Sequence, residues 1–356
     1  MDIKRRRSRE IRVGSVKIGG DAPISVQSMT NTDTRDIEST IRQINILEEV
    51  GCEIVRIAIL DKEAAKSIEK IKPRINIPLI ADIHFNYRLA LESISRGADG
   101  IRINPGNIGS RKNIKSIILA AKDRGISIRI GVNAGSLEGN LLKKYGYPNK
   151  EALLESALNH IKFFEDVGFF DIKISIKSSD VLTTIDSYRL IAERVDYPLH
   201  LGVTEAGTLM RGSIKSAIGI GALLLEGIGD TIRVSLTGNP VQEVKAGYEI
   251  LRALNIRYRG VNIISCPTCG RMEIDLVNIV EEIERRLSHI KESLNVAVLG
   301  CVVNGIGEAK EADIGIAGGR GTGILFKNGK IIKKVKEEEL VDTLVNEVER
   351  MVNVIH

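Results

Sequence analysis

No stretch of this 356-residue chain approaches the roughly 18–20 consecutive apolar residues that a membrane-spanning helix needs, so a spanning role is excluded. The opening MDIKRRRSRE is basic, but no apolar segment follows it, which argues against a secretory signal and points to the cytoplasm. Cysteine is scarce. Four residues, Cys52, Cys266, Cys269 and Cys301, are too few for a disulfide scaffold of this length. In a cytosolic setting such cysteines are more often metal ligands or catalytic groups. No low-complexity segment and no internal repeat beyond a βα alternation is evident. An excess of one charge is lacking too: 51 basic against 46 acidic residues leave a net charge of +5. Nucleic acid is therefore not the expected partner, and the KRRRSR run reads as a solvated terminus.

What is present is a regular beat over the first three quarters of the chain. The apolar runs PISVQSM, CEIVRIAI, IPLIADI, GIRINPG, SIRIGVN, FDIKISIK, PLHLGVTE and DTIRVSL make eight candidate strands. Between them lie helical patterns such as NKEALLESALNHIKFFEDVG, apolar at 153, 154, 157, 158, 161 and 164. Glycines 51, 97, 125 and 168 close several helices just before the next strand. Eight such units predict an α/β fold of the TIM (β/α)8 class. A doubly wound sheet fits less well, because no glycine-rich dinucleotide loop follows the first strand. The leading IRVGSVKIGG reads as a hairpin closing the barrel bottom. After about residue 258 the pattern changes to a small α+β domain, with antiparallel strands in ADIGIAG, GTGILFKNG and KIIKKV. We expect a barrel over 1–258 and the small domain over 259–356.

In a TIM barrel the active site lies at the C-terminal strand ends. Those ends carry Arg56, Asp82 and His84, Arg102 and Asn104, Arg129 and Asn133, Lys173 and Lys177, His200 and Glu205, Arg233 and Ser235. Four of the strands hold an arginine inside an apolar run. A buried arginine is costly without an anionic partner, and one alone would be read as an ion pair. Four at comparable positions point to an anionic ligand, and the planar guanidinium fork suits phosphate oxygens. Glu205 is the odd carboxylate in a basic mouth: either an arginine's partner or an acid–base group. His84 and His200 are compatible with core hydrogen bonding or with substrate contact. His160 shows no functional context, and Cys52 reads as a small buried hydrophobe.

The SCPTCGRME segment places Cys266 and Cys269 three apart after a strand, and Cys301 follows another strand in AVLGCVVNGIGEA. Two strands thus deliver sulfur at their ends. Structural zinc would need a fourth ligand, and His289 is poorly placed to supply it. A redox disulfide needs only two cysteines in a different context. An iron–sulfur cluster on three thiolates and one other ligand is the better reading, with zinc left open.

At this point the motifs become recognisable. CPTCGR, GCVVNGIGEA and ADIGIAGG, with PISVQSMTNT, IADIHF, IRINPGNIG, VTEAG and VSLT, resemble the 4-hydroxy-3-methylbut-2-enyl diphosphate synthase family of the non-mevalonate isoprenoid pathway, almost end to end and without the plant-type insertion. The resemblance implies a [4Fe–4S] cluster on Cys266, Cys269, Cys301 and Glu308. It implies diphosphate contacts from Arg56, Arg102, Arg129, Asn133, Lys177, Arg233 and Ser235, and an acidic active-site residue at Glu205. Asp82, His84 and His200 join the expected substrate site from their positions at the mouth. The implied reaction opens 2-C-methyl-D-erythritol 2,4-cyclodiphosphate reductively, in two one-electron steps fed by reduced flavodoxin or ferredoxin. The implied assembly is a homodimer. The rival reading is a sugar-phosphate-binding barrel, aldolase-like or regulatory, with a structural zinc module.

Overall fold

The computed structural model describes residues 3–301 and 312–355. It divides into two compact units, Met1–Arg257 and Tyr258–His356. Among the described residues no helix is long and apolar enough to cross a membrane.

The first unit opens with an antiparallel hairpin, β1 (Ile11–Val13) and β2 (Val16–Ile18). Eight parallel strands follow: β3 (Ser25–Met29), β4 (Ile54–Ala58), β5 (Leu79–Ile83), β6 (Gly100–Ile103), β7 (Ser127–Asn133), β8 (Ile172–Lys177), β9 (His200–Leu201) and β10 (Thr231–Ile232). Their order is β8-β7-β6-β5-β4-β3-β10-β9, and a parallel bridge between Ile174 and Leu199 joins the two edges. The result is a closed (β/α)8 barrel, as the eight-run beat predicts. Helix starts are fixed by short polar side chains: Asp36, Asp61, Ser110, Asn149 and Asp180 each accept a backbone N–H from the first turn.

Strand alternation sorts the side chains into two environments. On β7, Ile128, Ile130 and Val132 face the helices and join the main core, whereas Arg129, Gly131 and Asn133 face the barrel axis. Pairing each strand with its neighbours in register stacks the inward residues in layers of four from alternate strands. Gln27, Ile80, Arg129 and His200 form one layer. Arg56, Arg102, Ser175 and Arg233 lie above it; Met29, Asp82, Gly131 and Gly202 come next. Ile54, Gly100, Lys173 and Thr231 lie below. The bottom is apolar: Ile54 and Ile80 pack with Ile11, Val13 and Ile18 of the hairpin, which therefore plugs the barrel.

The basic N-terminal run is only partly solvated, contrary to expectation. Lys4 and Arg7 are exposed. Arg5 donates to Asp230 Oδ1 at 3.1 Å, and Arg6 donates to the carbonyls of Val195 and Tyr197 at 2.7 and 2.6 Å. Arg9 pairs with Asp196 at 2.7 Å and lies 4.6 Å from the centroid of the Tyr197 ring. Guanidinium forks find carboxylates and free carbonyls at the strand starts, so the arginines tie the terminus to the barrel.

The second unit is one mixed sheet of β11 (Val261–Ser265), β12 (Leu294–Leu299), β13 (Ile314–Gly319), β14 (Thr322–Lys327) and β15 (Lys330–Lys336), in sequential order. The first three are parallel and the last three antiparallel. Helices Leu276–Leu287 and Leu340–Ile355 pack against it through Ile283, Leu287, Leu344 and Val348.

Candidate functional site

The barrel interior gathers six cations around two carboxylates. Arg56, Arg102, Arg129, Lys173 and Lys177 are buried, as are Asp82 and Glu243, and the Arg233 side chain is 14% exposed. Asp82 is the hub. Its carboxylate lies 3.5 Å from Arg56 Nε, 3.1 Å from Arg102 Nη1 and 3.5 Å from His84 Nε2. Arg102 Nη1 also lies 3.0 Å from His84 Nε2. The Asn133 amide, turned to satisfy both its ends, accepts from Arg102 Nη2 at 3.0 Å. Glu243, on the helix Pro240–Ala253, holds Arg233 at 3.3 Å and accepts from Ser28 Oγ at 2.9 Å and from the Leu236 N–H at 3.0 Å.

Two glycines make room for the cations. A Cβ on Gly131 would stand 2.8 Å from Arg102 Nε, and one on Gly202 would stand 2.6 Å from Lys177 Nζ. Both glycines belong to the Asp82 layer, where the missing side chains leave space that the cations fill.

Two carboxylates cannot balance six cations. Burial, then neighbouring arginines, pulls Lys177 and Lys173 well below the usual lysine range, and does the same to Arg129 within its own range. Two like charges 4 Å apart repel by about 4 kcal/mol at an effective dielectric near 20. A barrel built only for stability would not bury so many like charges together. A bound polyanion would reverse the sign of that energy. Burial alone would raise the Asp82 carboxyl, yet Arg56, the His84 hydrogen bond, Arg102 and Arg129 together hold it well below the usual carboxylate range.

The remaining sequence-derived candidates are spread more widely. His200 is fully buried in the Arg129 layer, and burial followed by Arg129, Lys177 and Lys173 keeps it neutral. His84 is half exposed at the mouth. Ser235 is half-buried after β10. Glu205 is exposed in the loop after β9, with a left-handed backbone (φ 52°) and no ion pair among the described residues. Cys52 is a core residue whose thiol burial pushes up to about 12.

Two features escape the sequence reading. Glu243 is the Arg233 partner, and its only signal is an acid in the first turn of a helix entered at Asn239-Pro240. His160 is not idle: its Nε2 lies 2.6 Å from Glu138 Oε1, which also accepts from Ser156 Oγ, pinning the segment after β7 to the helix Lys150–Asp166.

In the second unit Cys266 directly follows β11, and Cys301 follows β12 after Gly300. These strands are parallel neighbours with Ser265 opposite Val298, so both thiols emerge at the same sheet end. Cys266 Sγ accepts the Gly300 N–H at 3.3 Å. Cys269 is exposed in the following loop, where the Arg271 backbone N–H, then its side chain, holds the thiol below its ordinary range. That loop is tied back by the Glu273 N–H to the Gly300 carbonyl at 3.0 Å. A cleft of about 640 Å³ lies beside it, lined by Cys301, Gly270, Arg271, Met272, Arg320 and Glu337 among others. Among the described residues no three His, Cys, Asp or Glu side chains are already grouped to hold a metal ion, and Glu308 lies outside the described residues. The donor chemistry still suits a soft-metal or iron–sulfur centre, with thiols on adjacent strand ends and an N–H already directed at one sulfur.

A TIM barrel with a cluster of buried cations, followed by a thiol-bearing α+β unit, defines a two-domain enzyme class. The chain matches the GcpE TIM-barrel domain over residues 8–248 and the GcpE protein C-terminal domain over 262–350. It belongs to the GcpE family. It is 63% identical to the 4-hydroxy-3-methylbut-2-en-1-yl diphosphate synthase (flavodoxin) of Caldanaerobacter subterraneus subsp. tengcongensis, over 98% of both chains. It is 59% identical to the Geobacter sulfurreducens protein of the same name, over 97% of this chain and 98% of that one. Membership of this family implies an iron–sulfur cofactor in general. Among solved structures, type I 3-dehydroquinate dehydratase from Clostridium difficile aligns with 69% of this chain and 98% of its own, at TM-score 0.52 and 14% identity. That likeness concerns the fold alone.

Proposed function

We propose that this chain carries out the reaction for which its relatives are named: reductive opening of 2-C-methyl-D-erythritol 2,4-cyclodiphosphate to 4-hydroxy-3-methylbut-2-enyl diphosphate and water. Two electrons and two protons enter, the ring carbon–oxygen bond to phosphate breaks, and a hydroxyl leaves as water. The observation that carries this reading is the surplus of buried cations at the barrel mouth, in a chain of this family. Arg56, Arg102, Arg129, Lys177 and Arg233 bind the diphosphate, with Asn133 and Ser235 as neutral partners. Asp82 and Glu243 hold three of those arginines in place before substrate arrives. As the ring opens, negative charge grows on the departing phosphate oxygen, and cations fixed in advance stabilise it there without reorganising. His84 orients Arg102 from the rim, and neutral His200 supports the floor of the site. Glu205 supplies a proton to the leaving hydroxyl. A [4Fe–4S] cluster held by Cys266, Cys269, Cys301 and Glu308 would supply electrons one at a time. Reduced flavodoxin is the proposed donor, with ferredoxin as the alternative, and a cytoplasmic homodimer is the proposed working form.

Metal analysis of anaerobically purified protein tests the centre. We expect brown protein with about four irons per chain; colourless protein carrying zinc would return the small unit to a structural role. Glu308→Gln should alter the visible and paramagnetic resonance spectra while the iron remains partly bound. An unchanged spectrum with full activity would remove Glu308 from the ligand set.

Arg56→Ala, Arg129→Ala and Arg233→Ala should each weaken cyclodiphosphate binding by about 1.5–3 kcal/mol, the scale of a charge-assisted hydrogen bond. Calorimetric titration reads this directly. Wild-type affinity in all three variants would place the diphosphate elsewhere.

A further inference from the structure

Beneath the mouth, the barrel interior contains further polar side chains without partners; of these the proposed reaction uses only Arg129, on the diphosphate, and His200, in the floor. Lys173 is 1% exposed and its Nζ has no hydrogen-bond partner among the described residues. Arg129 is its register neighbour on β7, and its Nε and Nη1 are equally unpartnered. Both nitrogens of His200, both amide atoms of Gln27 and the hydroxyl of Thr231 share that condition, and each of these residues is fully buried. The registers put Gln27, Arg129 and His200 in one layer, with Lys173 and Thr231 in the layer below. Ile80 and Ile54 share those two layers, and Ile11, Val13 and Ile18 of the hairpin pack against them from underneath.

The three buried carboxylates of the first unit are engaged elsewhere, Asp230 by Arg5, Ser8 and the Leu199 N–H at the strand starts. Asp82 is taken by Arg56, Arg102 and His84, and Glu243 by Arg233, Ser28 and the Leu236 N–H. Lys173 is therefore left without a counter-charge, Arg129 feels only the attraction of Asp82 from two layers above, and N–H donors predominate around them. Water satisfies orphan donors but neutralises no charge.

We propose that these unpartnered groups bind a small monovalent anion of chloride's size, held between Lys173 and Arg129 and bounded by His200, Gln27 and Thr231, as a second anion site below the diphosphate and sharing Arg129 with it. The anion would neutralise the floor of the barrel and hold Arg129 in readiness for the substrate above. The inference stands on the barrel geometry and does not depend on the proposed reaction.

The test is thermal unfolding of the whole protein in potassium chloride against potassium gluconate at equal ionic strength, since gluconate is far larger than chloride. Above half-saturation, Tm should rise by about 3–5 °C per tenfold increase in chloride and stay flat in gluconate. Lys173→Met keeps the side-chain length without the charge, and should abolish the chloride dependence while the barrel remains folded in gluconate. If that variant does not fold, the wild type decides: a crystal soaked in bromide should show an anomalous peak within hydrogen-bond distance of Lys173 Nζ. The chloride effect should persist with saturating inorganic diphosphate. Equal Tm in both salts, or no bromide beside Lys173, overturns the proposal in favour of water and a neutral lysine. Loss of the chloride effect on adding diphosphate overturns the separateness of the two sites.

Discussion

Glu205→Gln should lower turnover about 100-fold or more while substrate binding holds or tightens. The carboxylate stands in the loop after β9, exposed and without an ion pair among the described residues. A mouth lined by cations repels no diphosphate, so a carboxylate added there can only weaken binding of the same anion. Its backbone sits at φ 52°, a region that costs a non-glycine residue roughly 1 kcal/mol or more. Affinity and stability would both favour another residue at this position. A role in proton transfer explains why glutamate stands there. Glutamine keeps the shape and removes the transferable proton, so kcat should fall while binding holds or tightens. Glu205→Gly relaxes the backbone and should raise the barrel's Tm while losing turnover to a similar extent. Single-turnover rates with calorimetric Kd values separate the two quantities. Turnover near wild type in Glu205→Gln would leave the residue as a surface carboxylate, and an equal loss in kcat and affinity would make it a binding residue.

Much of the fold is legible in the sequence because period and punctuation agree. Eight apolar runs, each followed by a helical pattern, admit few arrangements other than a barrel. Gly51, Gly97, Gly125 and Gly168 all adopt positive φ where the helices end. Arginines within apolar strands, as in IVRIA and TIRVS, identify an interior that is not filled by Val, Ile and Leu. What stays hidden is pairing across long separations. Nothing in the local pattern tells that Glu243 answers Arg233 and Ser28, or that Glu138 answers His160. The basic terminus misleads for the same reason: its partner Asp230 lies more than 200 residues away. Register is the other missing term. Inward positions follow from alternation, but which four share a layer depends on how the strands are staggered. Only the assembled barrel separates Lys173, without a partner in the floor, from Lys177, which stands against Gly202.

Asp82→Asn should destabilise the barrel by about 3–5 kcal/mol, the cost of removing one partner from a buried charge network. Asp82 is 4% exposed, and its carboxylate faces Arg56, Arg102 and His84. Asparagine keeps the volume and one acceptor but leaves both guanidinium groups without their buried counter-charge. The pH dependence follows from the same contacts. The folded carboxyl titrates well below its unfolded value, so the unfolded chain binds the proton more readily. The stabilisation is complete above the ordinary aspartate range, near pH 4, and is lost as pH falls from there towards the depressed folded value. The substitution should therefore flatten acid unfolding of the barrel in that window, together with lowering stability at neutral pH. A polyanion offers a distinct check. Inorganic diphosphate supplies negative charge to Arg56 and Arg102 directly, so it should raise the urea midpoint of the Asp82→Asn barrel by more than that of wild type. Urea unfolding followed on the barrel transition, with and without diphosphate, measures all three effects. A variant within about 1 kcal/mol of wild type would show that the arginines do not rely on Asp82. Equal diphosphate stabilisation in both proteins would show that the anion and the carboxylate do not serve the same cations.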